Sequence, residues 1–194
     1  MSNFSDFFPA AGGGGGGIPK YQEFTTSGTF TPSQELIDAG GRIAYFIVSG
    51  GQRGTTGYEH GGAGGGIEWG YMTLTSTSSC TVTIGAAGGD GSVPGNSSVA
   101  FSSAGGTDIT ANAPVLQYSA YSQVKNTLGT GWGNAFDNSM RSSAGSGFFG
   151  YGAGGSSLNN SYHGGIMAVR ANSGQGSPPG VAAADGFVRI TWFE

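Results

Sequence analysis

The chain has 194 residues, of which 41 are glycine, 12% are aromatic and only 9% are charged, with a formal net charge of −4 and an isoelectric point near 5.0. Low charge combined with many rings excludes an ordinary disordered tail, which needs the opposite balance. The lysines and arginines stand singly (Lys20, Arg42, Arg53, Lys125, Arg141, Arg170, Arg189), so no basic run exists to neutralise phosphates and no nucleic-acid partner is expected.

Residues 1–11 carry Phe4, Phe7, Phe8 and Pro9, and a run of six glycines, 12–17, follows. A phenylalanine-rich terminus left free in water is an apolar liability. Its rings either fold back onto the domain or fill pockets on another protein. The glycine run behind them has the composition of a flexible tether. The preferred reading is an anchoring peptide with its tether over residues 1–20, followed by a glycine-rich β domain over 21–194. No positive region followed by an apolar core opens the chain, so no leader is expected. The longest apolar run, residues 43–48, falls well short of the roughly 20 residues of a spanning helix, so no membrane segment is expected.

From residue 20 onward the pattern is that of strands. Residues 24–32, Phe-Thr-Thr-Ser-Gly-Thr-Phe-Thr-Pro, read as two short strand pieces around a Ser-Gly turn. Arg42–Val48 is apolar almost throughout and reads as a buried strand. Residues 69–75 alternate, with Met72 and Leu74 on one face and Thr73 and Thr75 on the other. Residues 80–84 alternate in the same way, Cys80, Val82 and Ile84 against Thr81 and Thr83, and the Ser/Thr stretch between the two runs suggests an antiparallel hairpin. Cys80 is the single cysteine and reads as a small buried hydrophobe. Residues 186–193 give the last clear strand, with Val188, Ile190 and Trp192 on one face and Arg189 and Thr191 on the other. One helical turn is expected at residues 33–38, after Pro32 and before Gly40 and Gly41.

Residues 103–182 differ. Strand patterns shorten, at 108–111, 115–121 and 147–151, and glycine interleaves with aromatic residues. Trp132, Phe148, Phe149, Tyr151 and Tyr162 sit in this region. Such rings suit two roles: stacking on a sugar or filling a receptor pocket, and stapling loops that have no other core. Ordered loops and extended glycine segments, paired backbone to backbone, are expected here, because only glycine lets extended chains approach closely.

The order of these pieces carries a resemblance. Phe24-Thr-Thr-Ser-Gly-Thr-Phe-Thr-Pro32 precedes Gly41-Arg-Ile-Ala-Tyr-Phe-Ile-Val-Ser-Gly-Gly51. The glycine run 61–66, Tyr71-Met-Thr-Leu-Thr75, Thr81-Val-Thr-Ile-Gly-Ala-Ala-Gly-Gly89 and Gly95-Asn-Ser-Ser-Val-Ala-Phe101 come next, and Ala184-Asp-Gly-Phe-Val-Arg-Ile-Thr-Trp192 closes the chain. Across residues 21–193 this resembles the glycine-rich domain of tailed-bacteriophage fibre and virion structural proteins. Asn3-Phe-Ser-Asp-Phe-Phe-Pro9 is similar to the start of short virion proteins that hang from a larger assembly. The resemblance implies an all-β, antiparallel sandwich-like domain with glycine-rich loops and extended polyproline-II-like segments, behind an N-terminal extended tail. It implies a fibre or tail-tip component of the virion, anchored to other virion proteins through residues 1–11 and able to touch a bacterial surface receptor or glycan. It also implies a homotrimer. A purely architectural head fibre, collar or decoration protein is the alternative.

Enzyme chemistry finds little support in the sequence. The hexaglycine matches a dinucleotide fingerprint trivially, yet follows no strand and opens no helix. Glu59, His60 and His163 show no ligand spacing, so no metal site is expected. Glycan cleavage needs paired carboxylates flanking a long groove, and this chain is small. No cofactor and no catalytic activity are expected.

Overall fold

The computed structural model describes residues 17–54, 64–89, 92–114, 122–125, 132–135, 171–179 and 182–194. Its main elements are two four-stranded antiparallel sheets. Sheet I contains β1 (Pro19–Phe24), β3 (Arg42–Val48), β5 (Ile67–Thr73) and β12 (Phe187–Phe193), in the order β1-β12-β3-β5. Sheet II contains β2 (Gly28–Phe30), β6 (Cys80–Thr83), β7 (Ser97–Val99) and β8 (Ile109–Ala111), in that order. A parallel pair joins β4 (Arg53–Gly54) to β11 (Ser177–Pro179), and β9 (Ser122–Lys125) pairs with β10 (Trp132–Ala135). Apart from α1 (Gln34–Asp38) and a 3₁₀ turn at Phe101–Ala104, the described fold has no helix. The all-β expectation holds.

One core lies between the sheets. Phe24, Ile43, Ile47, Val188 and Ile190 enter it from sheet I, and Phe30, Cys80, Val82, Val99 and Ala111 from sheet II. Phe30 meets Trp192 edge to face across the layers, with ring centroids 5.6 Å apart, and Tyr45 meets Phe101 at 5.9 Å. β3 is apolar on both sides for a reason. Ile43 and Ile47 face the core, while Val48 packs with Ile67 and Phe187 in a second cluster, flanked by Phe46 and Trp69. An interior strand covered on two faces loses the alternation of a half-exposed one.

Several short segments follow their local chemistry. Ser33 caps α1, accepting the Leu36 amide at 3.1 Å, and Gly40 and Gly41 at positive φ end it. The buried Leu36 is the residue this turn delivers to the core. Pro19 opens β1, an edge strand. The amide of Ile18 donates to Glu194 and that of Glu194 to Ile18. This phase points the amide positions of Lys20, Gln22 and Phe24 at β12 and turns Pro19 outward, where a missing N–H costs nothing. β1 therefore begins within the segment 1–20 read as a tether.

The hairpin expected from residues 69–75 and 80–84 does not form. β5 pairs with β3 in sheet I, and β6 pairs with β2 and β7 in sheet II. Each strand turns its apolar side to the shared core from opposite layers. Alternation reports one buried face without saying which sheet supplies it. The same crossover separates the two pieces of residues 24–32: Phe24 ends β1 in sheet I and Phe30 ends β2 in sheet II. β7 escaped the sequence reading because Ser-Ser-Val carries little strand signal.

Candidate functional site: the glycine-packed end of the sandwich

Both sheets continue into glycine segments at one end of the molecule. β3 and β6 leave their sheets there, and β5, β7 and β12 begin there, because Val48 lies opposite Ile67 and Phe187 while Thr83 lies opposite Ser98. β8 ends there too, Ala111 opposite Ser97. The segments meeting at this end are residues 49–53, 64–66, 84–89, 94–96, 173–177 and 184–186.

Single backbone hydrogen bonds tie these segments together. Gly50 donates to Gly95 at 3.0 Å, Gly51 to Ala184 at 2.9 Å, Gly65 to Gly174 at 2.7 Å, and Gly186 to Gly85 at 2.8 Å. Gly88 donates to Gly51 and Gly174 to Asp185, each at 2.9 Å. Such bonds need backbones at distances a side chain would block. A Cβ on Gly85 would lie 2.0 Å from the Gly95 carbonyl oxygen, and one on Gly51 would lie 2.1 Å from that of Gln175. The glycine content here is a packing requirement.

Side-chain oxygens, those of the buried Ser49 and Ser97 and of the exposed Asp185, finish the network. Ser49, directly after β3, accepts the Gly66 amide at 2.7 Å and donates to the Asn112 carbonyl at 3.1 Å. Ser97, opening β7, accepts the Gly85 amide at 2.9 Å. Asp185 accepts the Ala87 amide at 2.7 Å through its carboxylate. Ser173, Gln175 and Ser177 are also buried. Sequence reading missed these residues. The available signal was a serine beside a glycine pair at a strand end, as in Val48-Ser49-Gly50-Gly51.

The opposite end holds the entry of the N-terminal segment, where Gly17 and Ile18 meet Phe193 and Glu194. There the Glu194 carboxylate takes hydrogen bonds from Lys20 and Ser33, and from the Trp192 indole at 2.9 Å. These bonds, Lys20 first, hold the Glu194 carboxyl down to about 2.

The arrangement offers a rigid support and little chemistry. Burial pushes the Cys80 thiol up, so it fills core space as expected of a small hydrophobe. Among the described residues no group of His, Cys, Asp and Glu could hold a metal ion, and no helix is long and apolar enough to cross a membrane. Phe4, Phe7, Phe8, Pro9, Phe148, Phe149, Tyr151 and Tyr162 lie outside the described residues, as do Glu59, His60 and His163. Of Trp132 the backbone is described: it opens β10 opposite Lys125. Comparison with known families, with curated proteins and with solved structures found no match.

Proposed function

We propose that this chain is a structural protein of a bacteriophage virion, a fibre or tail-tip component. In this reading residues 1–11 anchor it to other virion proteins and the glycine-packed end faces outward, toward the host surface. One observation carries the reading. The described chain enters the sandwich beside Glu194, where Ile18 and Glu194 exchange backbone hydrogen bonds, and the glycine segments pack at the opposite end. A component held at one end and presenting the other requires that polarity. The backbone bonds of the glycine segments hold that outer end together without a large side-chain core. A homotrimer fits the closed cyclic symmetry common in assemblies. The alternative, a head fibre, collar or decoration protein, uses the same anchor with no receptor contact.

Incorporation tests the reading. A chain lacking residues 1–11 is expected to fold and to be missing from particles. Truncated protein incorporated at full occupancy refutes the anchor. Labelling the domain on intact particles, with a binding assay of the free protein on host cells, separates the tip component from the architectural part. A reducing-end assay on host polysaccharide is expected to show no cleavage.

A further inference from the structure

The first strand of the fold is an edge strand, and among the described residues it pairs with β12 alone. A terminal strand bonded on one side is where opening ordinarily costs least. β1 is instead fastened to β12 three times over. Ile18 and Glu194 exchange backbone bonds at 2.6 and 3.3 Å, so the pairs Lys20–Trp192, Gln22–Ile190 and Phe24–Val188 form the further rungs of the ladder. On the core side Phe24 is buried, and the Glu194 carboxylate accepts from Lys20 of β1, from Ser33 at the head of α1 and from the Trp192 indole. On the outer side Arg189 of β12 meets Glu23 at 2.6 Å and stands 4.8 Å from the centroid of the Tyr21 ring.

We propose that β1 and β12 form a mechanical latch, which resists tension along the strands and yields to tension across them. The direction follows from the register. Pro19 lies opposite Phe193 at the entry end, and Phe24 lies opposite Val188 toward the glycine-packed end. A pull between the N-terminal segment and the glycine-packed end therefore runs along β1. The ladder bonds lie perpendicular to the strands, so this pull shears all the rungs together. Slipping into the next matching register moves β1 by two residues, about 7 Å. That slip draws Phe24 out of its core position into the one held by Gln22, and it parts Lys20 from Glu194 and Glu23 from Arg189. A pull between the N-terminal segment and Glu194 acts differently. Ile18 and Glu194 are bonded to each other, so the load falls on one rung at a time. The use of such a latch rests on the reading of this chain as a component held by its N-terminal segment. The latch itself does not.

Single-molecule pulling on the full-length chain tests it, with no particle involved, so a failure here leaves the virion reading standing and the reverse. One handle is attached ahead of Met1. The second is placed either after Glu194 or on Val93→Cys, an exposed position at the glycine-packed end. Ala86→Cys, also exposed there, replaces Val93→Cys if that variant does not fold. At one pulling speed the unfolding force in the lengthwise arrangement is expected to be about twice that of the crosswise arrangement or more, because forced unfolding follows the barrier and the rungs must break together. Glu23→Gln removes the ion pair to Arg189. It is expected to lower the lengthwise force while the melting temperature holds within about 3 °C, since a half-exposed ion pair adds little at equilibrium. Equal forces in the two arrangements overturn the latch, as does a higher force crosswise. A lengthwise force unchanged by Glu23→Gln overturns the part given to Arg189.

Discussion

The amide of Gly50 lies 3.0 Å from the carbonyl oxygen of Gly95. That bond joins the end of β3, in one layer of the sandwich, to the approach to β7 in the other. The sheets are therefore tied twice, through side chains in the core and through backbone at the glycine-packed end. The second tie depends on the absence of side chains.

Gly85→Ala tests this tie. Its methyl group would sit 2.0 Å from the Gly95 oxygen and 2.5 Å from the Gly95 carbonyl carbon, a backbone obstacle with no flexible end to yield. The expected loss is about 3 kcal/mol or more in urea denaturation, at the upper end of overpacking costs. Gly28→Ala is the matched control. There the nearest atom is a Phe24 ring carbon at 3.6 Å, an ordinary contact, so stability is expected to change by less than about 1 kcal/mol.

Ser49→Ala removes one oxygen that serves two backbone groups. The Gly66 amide loses its acceptor and the Asn112 carbonyl loses a donor, at a residue with 0% exposure. Leaving such groups unpaired costs about 1–3 kcal/mol. Ser78→Ala, on an exposed serine, is expected to change stability by less than about 0.5 kcal/mol. Equal effects from the two substitutions contradict the role assigned to Ser49.

Glu194 makes stability depend on acid. Hydrogen bonds from Lys20, Ser33 and Trp192 hold its folded carboxyl at about 2, below the roughly 4.3 of a free glutamate. The unfolded chain therefore takes up the proton first, and stability rises with pH across this window. The contribution is fully present above about pH 4.3 and is lost as pH falls toward about 2. Urea midpoints measured from pH 6 to pH 2 should fall over that window, and Glu194→Gln should flatten the fall. An identical pH profile in the variant removes Glu194 as the cause.

The strands of the core were legible because burial imposes a period. Arg42–Val48 matches β3 residue for residue, and the buried–exposed alternation of Cys80 to Thr83 appears as expected. Pairing was not legible. The run ending at Leu74 and the run starting at Cys80 carry the same pattern, and nothing local says that they face each other across a core. The glycine segments were legible as a composition and not as contacts. The bond between Gly51 and Ala184 spans most of the chain, and glycine has no side chain to mark its partner. The outer face of sheet II was visible only as alternation, since Thr83 and Thr110 come into one row through Ser98, a pairing that nothing local marks.

Two truncations separate the anchor from the fold. Deleting residues 1–16 leaves β1, the reciprocal bonds between Ile18 and Glu194, and the Lys20–Glu194 pair in place, so the melting temperature is expected to hold within about 3 °C, under 1 kcal/mol for a chain of this size. Deleting residues 1–24 removes β1, uncovers the edge of β12 and takes Phe24, which is 8% exposed, out of the core. Loss of a buried phenylalanine alone costs about 3–5 kcal/mol, which lowers the melting temperature by about 10 °C or more. A drop of that size from the shorter deletion places residues 1–16 in the fold and withdraws them as an anchor, because a peptide that stabilises its own domain is not available to a neighbour without a cost to both.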